Sequence, residues 1–127
     1  MISNTSPIIF LAKIDCFYLL KDLYNKVKIT SKVREELLAE EKQDSKTIDM
    51  AIQDRIIVIN DPNKILPLGL GDGENSAISL ALELKEPLII DDAHAIKAAN
   101  SLGIETIRTT SVIFTAVKKK MISKPEA

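Results

Sequence analysis

Short runs of aliphatic and β-branched residues alternate along the chain with longer segments whose apolar residues recur at helical spacing. The short runs are predicted to be strands at residues 1–3, 27–29, 56–60, 88–90 and 105–107. The longer segments are predicted to be helices at 7–12, 17–23, 32–40, 45–54, 73–84, 93–102 and 111–120. Because strands joined through helices form right-handed parallel crossovers, the pattern predicts a three-layer α/β/α sandwich with a central parallel sheet.

Several residues mark predicted helix starts. Ser6 followed by Pro7 is typical of a helix N-terminus, with proline at the first helical position. Thr30 or Ser31 can cap the helix at 32–40, and Asp72 can cap the helix at 73–84. Connections are predicted at the polar residues 41–44 and at the proline- and glycine-rich residues 62–73.

Composition limits the class of protein. A length of 127 residues, with 46% hydrophobic and 28% charged residues, is typical of one soluble globular domain. The 17 basic and 18 acidic residues nearly cancel, so net charge by itself does not indicate nucleic-acid binding. The single cysteine, Cys16, excludes an internal disulfide and is predicted to be a buried thiol in a reducing compartment.

The sequence shows no targeting or membrane-spanning segment of the usual kind. No basic N-terminal segment precedes an apolar run, as it would in a signal peptide, and none of the apolar runs approaches the ~18 residues that span a bilayer. We therefore expect a cytoplasmic protein that does not contact membranes.

Polar residues fall where the predicted strands end. In an open parallel sheet, binding sites form beyond the carboxyl ends of the strands, where helix N-termini also point. Asn4 follows the first strand, and Asp91 and Asp92 follow the fourth. Glu74 lies in the first turn of the fifth predicted helix, and Glu36 lies inside the third. Their joint placement favours one shared site.

Two of these carboxylates are predicted to face inward. Glu74 precedes Ala77 and Ile78 by three and four residues, and Glu36 is adjacent to Leu37 at the edge of another apolar stripe. Burying a carboxylate is unfavourable unless a cation or hydrogen bonds compensate it. A shared divalent cation would compensate several carboxylates at once. Oxygen ligands suit Mg²⁺ or Mn²⁺, whereas zinc favours His and Cys, of which the chain has one each.

Each residue also has a local explanation. Glu74 could favour the positive end of its helix dipole. Asp91 and Asp92 could be a helix cap and a first-turn acid. Glu36 could be solvated within a charged run, and Asn4 could form an Asx-turn. These alternatives stay open for each residue taken alone.

Four sequence blocks together resemble PIN-domain proteins, most closely a branch with a "(D/N)TSPLI" N-terminus. The blocks are residues 2–9 (ISNTSPII), 33–37 (VREEL), 71–78 (GDGENSAI) and 89–92 (IIDD). The resemblance covers most of the chain, roughly residues 1–120, and implies one PIN-like domain over residues 1–127. It implies a parallel sheet covered by helices and an acidic pocket that binds Mg²⁺ or Mn²⁺.

The resemblance also assigns roles by position. The metal ligands fall on Asn4, Glu36, Glu74 and Asp92, with Asp91 as an adjacent candidate. The catalytic set is Glu36, Glu74 and Asp92, and a further residue, Ser6, would hold a ligand or a bound water. Asn4 stands where the wider family has Asp, which removes one negative charge and should lower cation affinity.

The activity that the resemblance implies is cleavage of single-stranded RNA, as in VapC-type toxins of toxin–antitoxin pairs. Its implied partners are RNA, an antitoxin protein and a second copy of the chain in a homodimer. Relatives usually continue with another helical segment where this chain stops soon after residue 121. The alternative is a catalytically weak or inactive PIN-fold module that binds RNA or protein.

Overall fold

Hydrophobic strands alternate with helices throughout residues 1–40 and 45–119, which are the residues that the computed structural model describes. The strands are β1 Ile2–Ser3, β2 Val27–Ile29, β3 Ile57–Ile59, β4 Leu88–Ile89 and β5 Thr106–Ile107. The helices are α1 Thr5–Lys13, α2 Tyr18–Tyr24, α3 Ser31–Glu40, α4 Ser45–Gln53, α5 Asp72–Leu84, α6 Ala93–Ser101 and α7 Thr109–Lys118. Every predicted element is present, with ends that differ by one or two residues. The connection predicted at 41–44 and the segment expected to be missing after residue 121 lie outside the described residues.

The five strands form one parallel sheet in the order β3-β2-β1-β4-β5. Ile2 of β1 is in register with Lys28 on one side and with Leu88 on the other. The predicted three-layer α/β/α sandwich is therefore confirmed. The chain moves outward from β1 through β2 to β3 and then returns to β4 on the other side of β1. This reversal creates a crevice beyond the carboxyl ends of β1 and β4, which is where sheets of this type bind ligands.

The core is aliphatic and centred on the two middle strands. Ile2, Leu88 and Ile89 are fully buried, because helices cover both faces of the sheet. Cys16 is also buried, as predicted. None of the helices in the described ranges is long and apolar enough to cross a membrane.

The structure corrects two predicted helix starts. α1 begins at Thr5 with Asn4 as its N-cap, so Pro7 occupies the third helical position and not the first. Proline is tolerated there because the first four N–H groups of a helix have no partner within the helix. α5 begins at Asp72 with Gly71 as its N-cap, so Asp72 does not cap it.

The α3 start follows the prediction. The Thr30 hydroxyl oxygen accepts a hydrogen bond from the backbone N–H of Val33 at 3.2 Å, so Thr30 caps the helix. The hydroxyl of Ser31, the other predicted cap, instead donates to Asp61 at 2.6 Å. Ser31, the first residue of α3, is thus bonded to Asp61, which follows β3 at the carboxyl edge of the sheet.

Glu86 joins the three central strands at the opposite, amino edge. Its Oε1 accepts a hydrogen bond from the amino group of Met1 at 2.6 Å, and its Oε2 accepts one from Lys28 Nζ. Burial by itself raises the pKa of Glu86, but the two cationic donors outweigh burial and hold the pKa below its usual value. The carboxylate is therefore more stable in the folded chain than in the unfolded chain.

Replacing Glu86 with glutamine (Glu86→Gln) should destabilise the fold by about 1–2 kcal/mol at neutral pH, because the two donors lose a charged acceptor. A lowered folded pKa means that this stabilisation is complete above the ordinary carboxyl pKa of 4.5 and is lost as the pH falls through the folded value. Urea denaturation of wild type and variant should show a gap in unfolding free energy that closes on acidification. Glu105→Gln, at an exposed position before β5, should show no gap at neutral pH. A Glu86→Gln gap of constant size down to about pH 3 would contradict this assignment.

Candidate functional site

Asn4 lies at the centre of the crevice between β1 and β4. Its backbone N–H donates to the carbonyl oxygen of Ile89 at 3.0 Å, which fixes the residue between the two strands. The side chain is only 5% exposed, and it makes no cap hydrogen bond to α1. Its Oδ1 is buried and has no hydrogen-bond partner among the described residues. Because a buried acceptor is rarely left unpaired, Asn4 Oδ1 is suited to an external donor or a cation.

Glu36 is half-buried and holds two other elements together. Its Oε1 accepts a hydrogen bond from the Thr5 hydroxyl at 2.6 Å, and its Oε2 accepts one from the backbone N–H of Gly73 at 3.1 Å. The carboxylate thus links the first turn of α1 to the first turn of α5. The alternative of a freely solvated Glu36 does not describe this geometry.

Gly73 is required where α5 approaches Glu36. A Cβ added at this position would lie 2.3 Å from Glu36 Oε1 and 2.6 Å from both Cδ and Oε2. No side chain fits in that gap while the carboxylate stays in place. Ser76 donates to the Gly73 carbonyl at 2.8 Å, and its hydroxyl pairs with that of Thr30 at 2.6 Å. This buried pair of hydroxyls holds the start of α5 against the start of α3.

Glu74 carries an unfavourable charge in the same region. The N–H of Gly71 donates to Glu74 Oε1 at 3.3 Å, so the side chain folds back over the helix start. Burial raises the pKa of Glu74, the Gly71 hydrogen bond partly offsets this, and the nearby carboxylates of Asp92 and Glu36 raise it further. A proton or a cation would relieve this concentration of negative charge.

An open pocket of about 440 Å³ contains this acidic group. It is lined by Asn4, Thr5, Ser6, Ile9, Glu36, Ala39, Gly71 and Glu74. Of the predicted site residues, Asn4, Glu36, Glu74 and Ser6 are thus brought together. Asp92 lies outside the lining but is close enough to act on the pKa of Glu74.

The two consecutive aspartates after β4 differ in what they contact. Asp92 is exposed and uses Oδ2 to cap α6, accepting from the Ala95 N–H at 2.9 Å. Asp91 points to α7, where its two oxygens accept hydrogen bonds from the Thr109 N–H at 2.7 Å and the Thr109 hydroxyl at 2.5 Å. The structure therefore does not bring Asp91 together with the other predicted ligands: it bonds the start of α7 and does not line the pocket that contains Asn4, Glu36 and Glu74.

The oxygen atoms of Asn4, Glu36 and Glu74 are of the kind that bind hard cations, but they include only two carboxylates. Over residues 1–40 and 45–119, no three His, Cys, Asp or Glu side chains are grouped so that they could hold a metal ion. The expectation that Glu36, Glu74 and Asp92 form such a group is not met. Mg²⁺ is commonly bound through only one or two carboxylates and keeps several waters. Glu36, Glu74 and the unpaired amide oxygen of Asn4 fit that requirement.

Sequence reasoning missed Thr5 and Gly73, which hold Glu36 in place. A glycine in the first turn of a helix, where most residues would favour the helix more, was the available signal. It indicates that some group approaches the backbone closely, but it does not identify that group. Nothing in the sequence singles out the Thr5 hydroxyl, because its acceptor is 31 residues away.

The DUF3368 family model, described as a PIN domain, matches residues 1–127. Among solved structures, the chain is similar to a PilT N-terminus domain protein from the hyperthermophilic archaeon Sulfolobus solfataricus P2. That likeness has a TM-score of 0.60 and 25% sequence identity, and it covers 93% of this chain and 95% of the other. No curated protein matches the chain.

Substituting Gly73 with alanine (Gly73→Ala) should displace the Glu36 carboxylate. The clashing atoms belong to the end of a flexible side chain, so we expect the carboxylate to move away while the backbone stays. The lost hydrogen bonds and the better helix propensity of alanine act in opposite directions, so the unfolding free energy should change by no more than about 1 kcal/mol. A crystal structure of the variant should show Glu36 separated from both Thr5 and residue 73.

Gly71→Ala is the matched control, because a Cβ there would meet Glu74 Oε1 at an ordinary 3.5 Å. That variant should leave Glu36 in place. An unmoved Glu36 in Gly73→Ala would refute the steric argument.

Proposed function

The chain belongs to the PIN-domain family, and from this we propose that it is a metal-dependent endoribonuclease whose cation is held by Asn4, Glu36 and Glu74. PIN domains are generally nucleases and typically use divalent metal ions. Our proposal goes further, to hydrolysis of single-stranded RNA phosphodiesters with Mg²⁺ or Mn²⁺. The choice of RNA comes from the family resemblance, and the choice of metal comes from the oxygen donors.

The observation that carries the proposal is the unpaired Asn4 Oδ1. A neutral, buried acceptor next to two carboxylates has no obvious structural purpose, since it caps no helix and bonds no backbone group among the described residues. A hard cation satisfies an amide oxygen and carboxylates together. The same ion would offset the burial and, to a smaller extent, the carboxylate repulsion that raise the pKa of Glu74.

Each residue has a distinct role in the proposed reaction. A bound divalent cation would supply Lewis acidity for attack of water on the phosphodiester. Thr5 and Gly73 orient the Glu36 carboxylate through one hydrogen bond to each oxygen. Asp92 caps α6 with Oδ2, so its Oδ1 faces no cap donor and is suited to accept a proton from the attacking water. Ser6 is exposed at the pocket wall, where its hydroxyl can contact a ligand or water.

A binding module without catalysis is the second candidate. Asn4 removes one negative charge, and the described residues offer no group of three acidic ligands. Both observations favour weaker cation binding than a full carboxylate set would give. An antitoxin partner and a homodimer stay predictions from the family resemblance in either case.

Restoring a carboxylate with Asn4→Asp should tighten Mn²⁺ binding by roughly tenfold, a change of about 1.4 kcal/mol, because a charged ligand replaces a neutral one. The same variant should unfold at a lower temperature without the cation, because it adds a buried charge, and should regain stability when Mn²⁺ is added. Glu74→Gln should weaken Mn²⁺ binding. Calorimetric titration and thermal unfolding measure both effects.

The matched control for that titration is Asn100→Asp, an exposed position on α6. It should leave Mn²⁺ affinity unchanged. Equal tightening by Asn4→Asp and Asn100→Asp would show that net charge, and not a ligand, is responsible.

Asp92→Asn should abolish Mn²⁺-dependent cleavage of a labelled single-stranded RNA while preserving stability. Asparagine caps helices about as well as aspartate, so the α6 start should survive the change. Asp49→Asn, at an exposed site on α4, is the control and should cleave like wild type. Cleavage that survives Asp92→Asn would point to another site. Mn²⁺ binding by wild type without any cleavage would favour the binding-module alternative.

A further inference from the structure

An open cleft of about 520 Å³ adjoins the acidic pocket. Ser6 and Ile9 line both cavities, so the two form one continuous surface. Phe10 and Lys13 extend the cleft along α1, and Arg108 borders it at the start of α7. The charged residues of the acidic pocket are both carboxylates, whereas this cleft is lined by two cationic side chains, one carboxylate (Asp91) and one aromatic ring.

Arg108 is placed to contact an anion. Its side chain is exposed, and within residues 1–40 and 45–119 it makes one hydrogen bond, a long one of 3.5 Å from Nη1 to the Asp91 carbonyl oxygen. A guanidinium has five N–H donors, so this one bond leaves most of them without a partner among those residues. The Asp91 carboxylate lines the same cleft, but its oxygens accept hydrogen bonds from Thr109, and among the described residues it forms no ion pair with Arg108.

Phe10 lines the same cleft with an exposed aromatic side chain. The chain has only three phenylalanines and two tyrosines, and Phe10 is 47% exposed. Ile9, one residue earlier, lies at the boundary with the acidic pocket. Exposed aromatic rings beside cationic side chains are the features with which proteins bind single-stranded nucleic acid, because the ring stacks on a base and the cation contacts the phosphate.

We propose that this cleft is a subsite for single-stranded RNA, with a base stacked on Phe10 and the adjoining phosphate held by Arg108. The inference rests on the proposed nuclease function and adds the surface that positions the substrate. A polyanion is repelled by Glu36 and Glu74, so it needs a cationic contact beside them to place a phosphodiester in the pocket. Arg108 supplies that contact, and Lys13 adds a second positive charge to the cleft lining. The pairing of an aromatic ring with a cation favours a nucleotide over an apolar protein segment as the occupant.

The test is RNA binding measured without cleavage. Fluorescence anisotropy of a labelled single-stranded RNA is recorded in EDTA, so that the result does not depend on catalysis. Arg108→Gln should weaken binding and reduce the slope of log affinity against log salt by about 0.7, the value for one single-strand phosphate contact. Phe10→Ala should weaken binding about tenfold through lost stacking. Both side chains are exposed, and thermal unfolding should confirm that both variants are folded.

Two matched controls stand outside the cleft. Arg55→Gln changes an exposed arginine before β3, at the amino edge of the sheet. Phe114→Ala removes another exposed phenylalanine, 69% accessible, from α7. Neither should weaken binding. An abasic oligomer of the same length should bind wild type and Phe10→Ala equally, because it has no base to stack.

The outcomes separate this subsite from the proposed function. Weaker binding by both cleft variants, together with a wild type that never cleaves RNA, would support the subsite and refute the nuclease. RNA binding unchanged in both cleft variants, or absent in wild type, would overturn the subsite and favour a protein occupant. Equal losses in the cleft variants and the controls would also overturn it, since they would indicate diffuse charge attraction.

Discussion

The carboxylate of Glu36 is the contact on which the geometry of the site depends. It receives hydrogen bonds from Thr5 in α1 and from the backbone of Gly73 in α5, while its own backbone belongs to α3. Three helices from distant parts of the chain therefore meet at one side chain. Since Gly73 has no Cβ, α5 can start close to Glu36, and this places Glu74 in the pocket beside Asn4.

Several carboxylates along the carboxyl edge of the sheet accept hydrogen bonds from the first residues of helices. Asp91 is fully engaged by Thr109 of α7, and Asp92 gives one oxygen to α6. Asp61 accepts two hydrogen bonds from Ser31 at the start of α3, which lower its pKa. Hydrogen bonding to a helix start does not by itself separate these acids from the pocket, because Glu36 bonds two helix starts and still lines it. What distinguishes Glu36 and Glu74 from Asp61, Asp91 and Asp92 is that they line the pocket that contains Asn4.

Local patterns were sufficient for the fold and for part of the site. Short runs rich in aliphatic and β-branched residues predicted every strand in the described ranges, and apolar residues at helical spacing predicted every helix. Both patterns depend only on residues that are close together in the sequence. The inward placement of Glu36 and Glu74 also followed from spacing alone. The different directions of Asp91 and Asp92 did not, since they depend on Thr109, which is brought alongside Asp91 only when β5 pairs with β4. The role of Gly73 was likewise hidden, because its partner lies in another helix.

Under the proposed function, the amide at position 4 would link the stability of the fold to its affinity for a cation. At 5% exposure, a carboxylate here would be strongly unfavourable without a counter-ion, whereas an amide leaves only one unpaired acceptor. Asparagine therefore lets the crevice between β1 and β4 close without a bound ion. In the proposed metal site, the same asparagine gives up a charged ligand and would hold the ion less tightly than an aspartate. Stability of the ion-free fold and weaker binding of the proposed ion would then both follow from one neutral side chain.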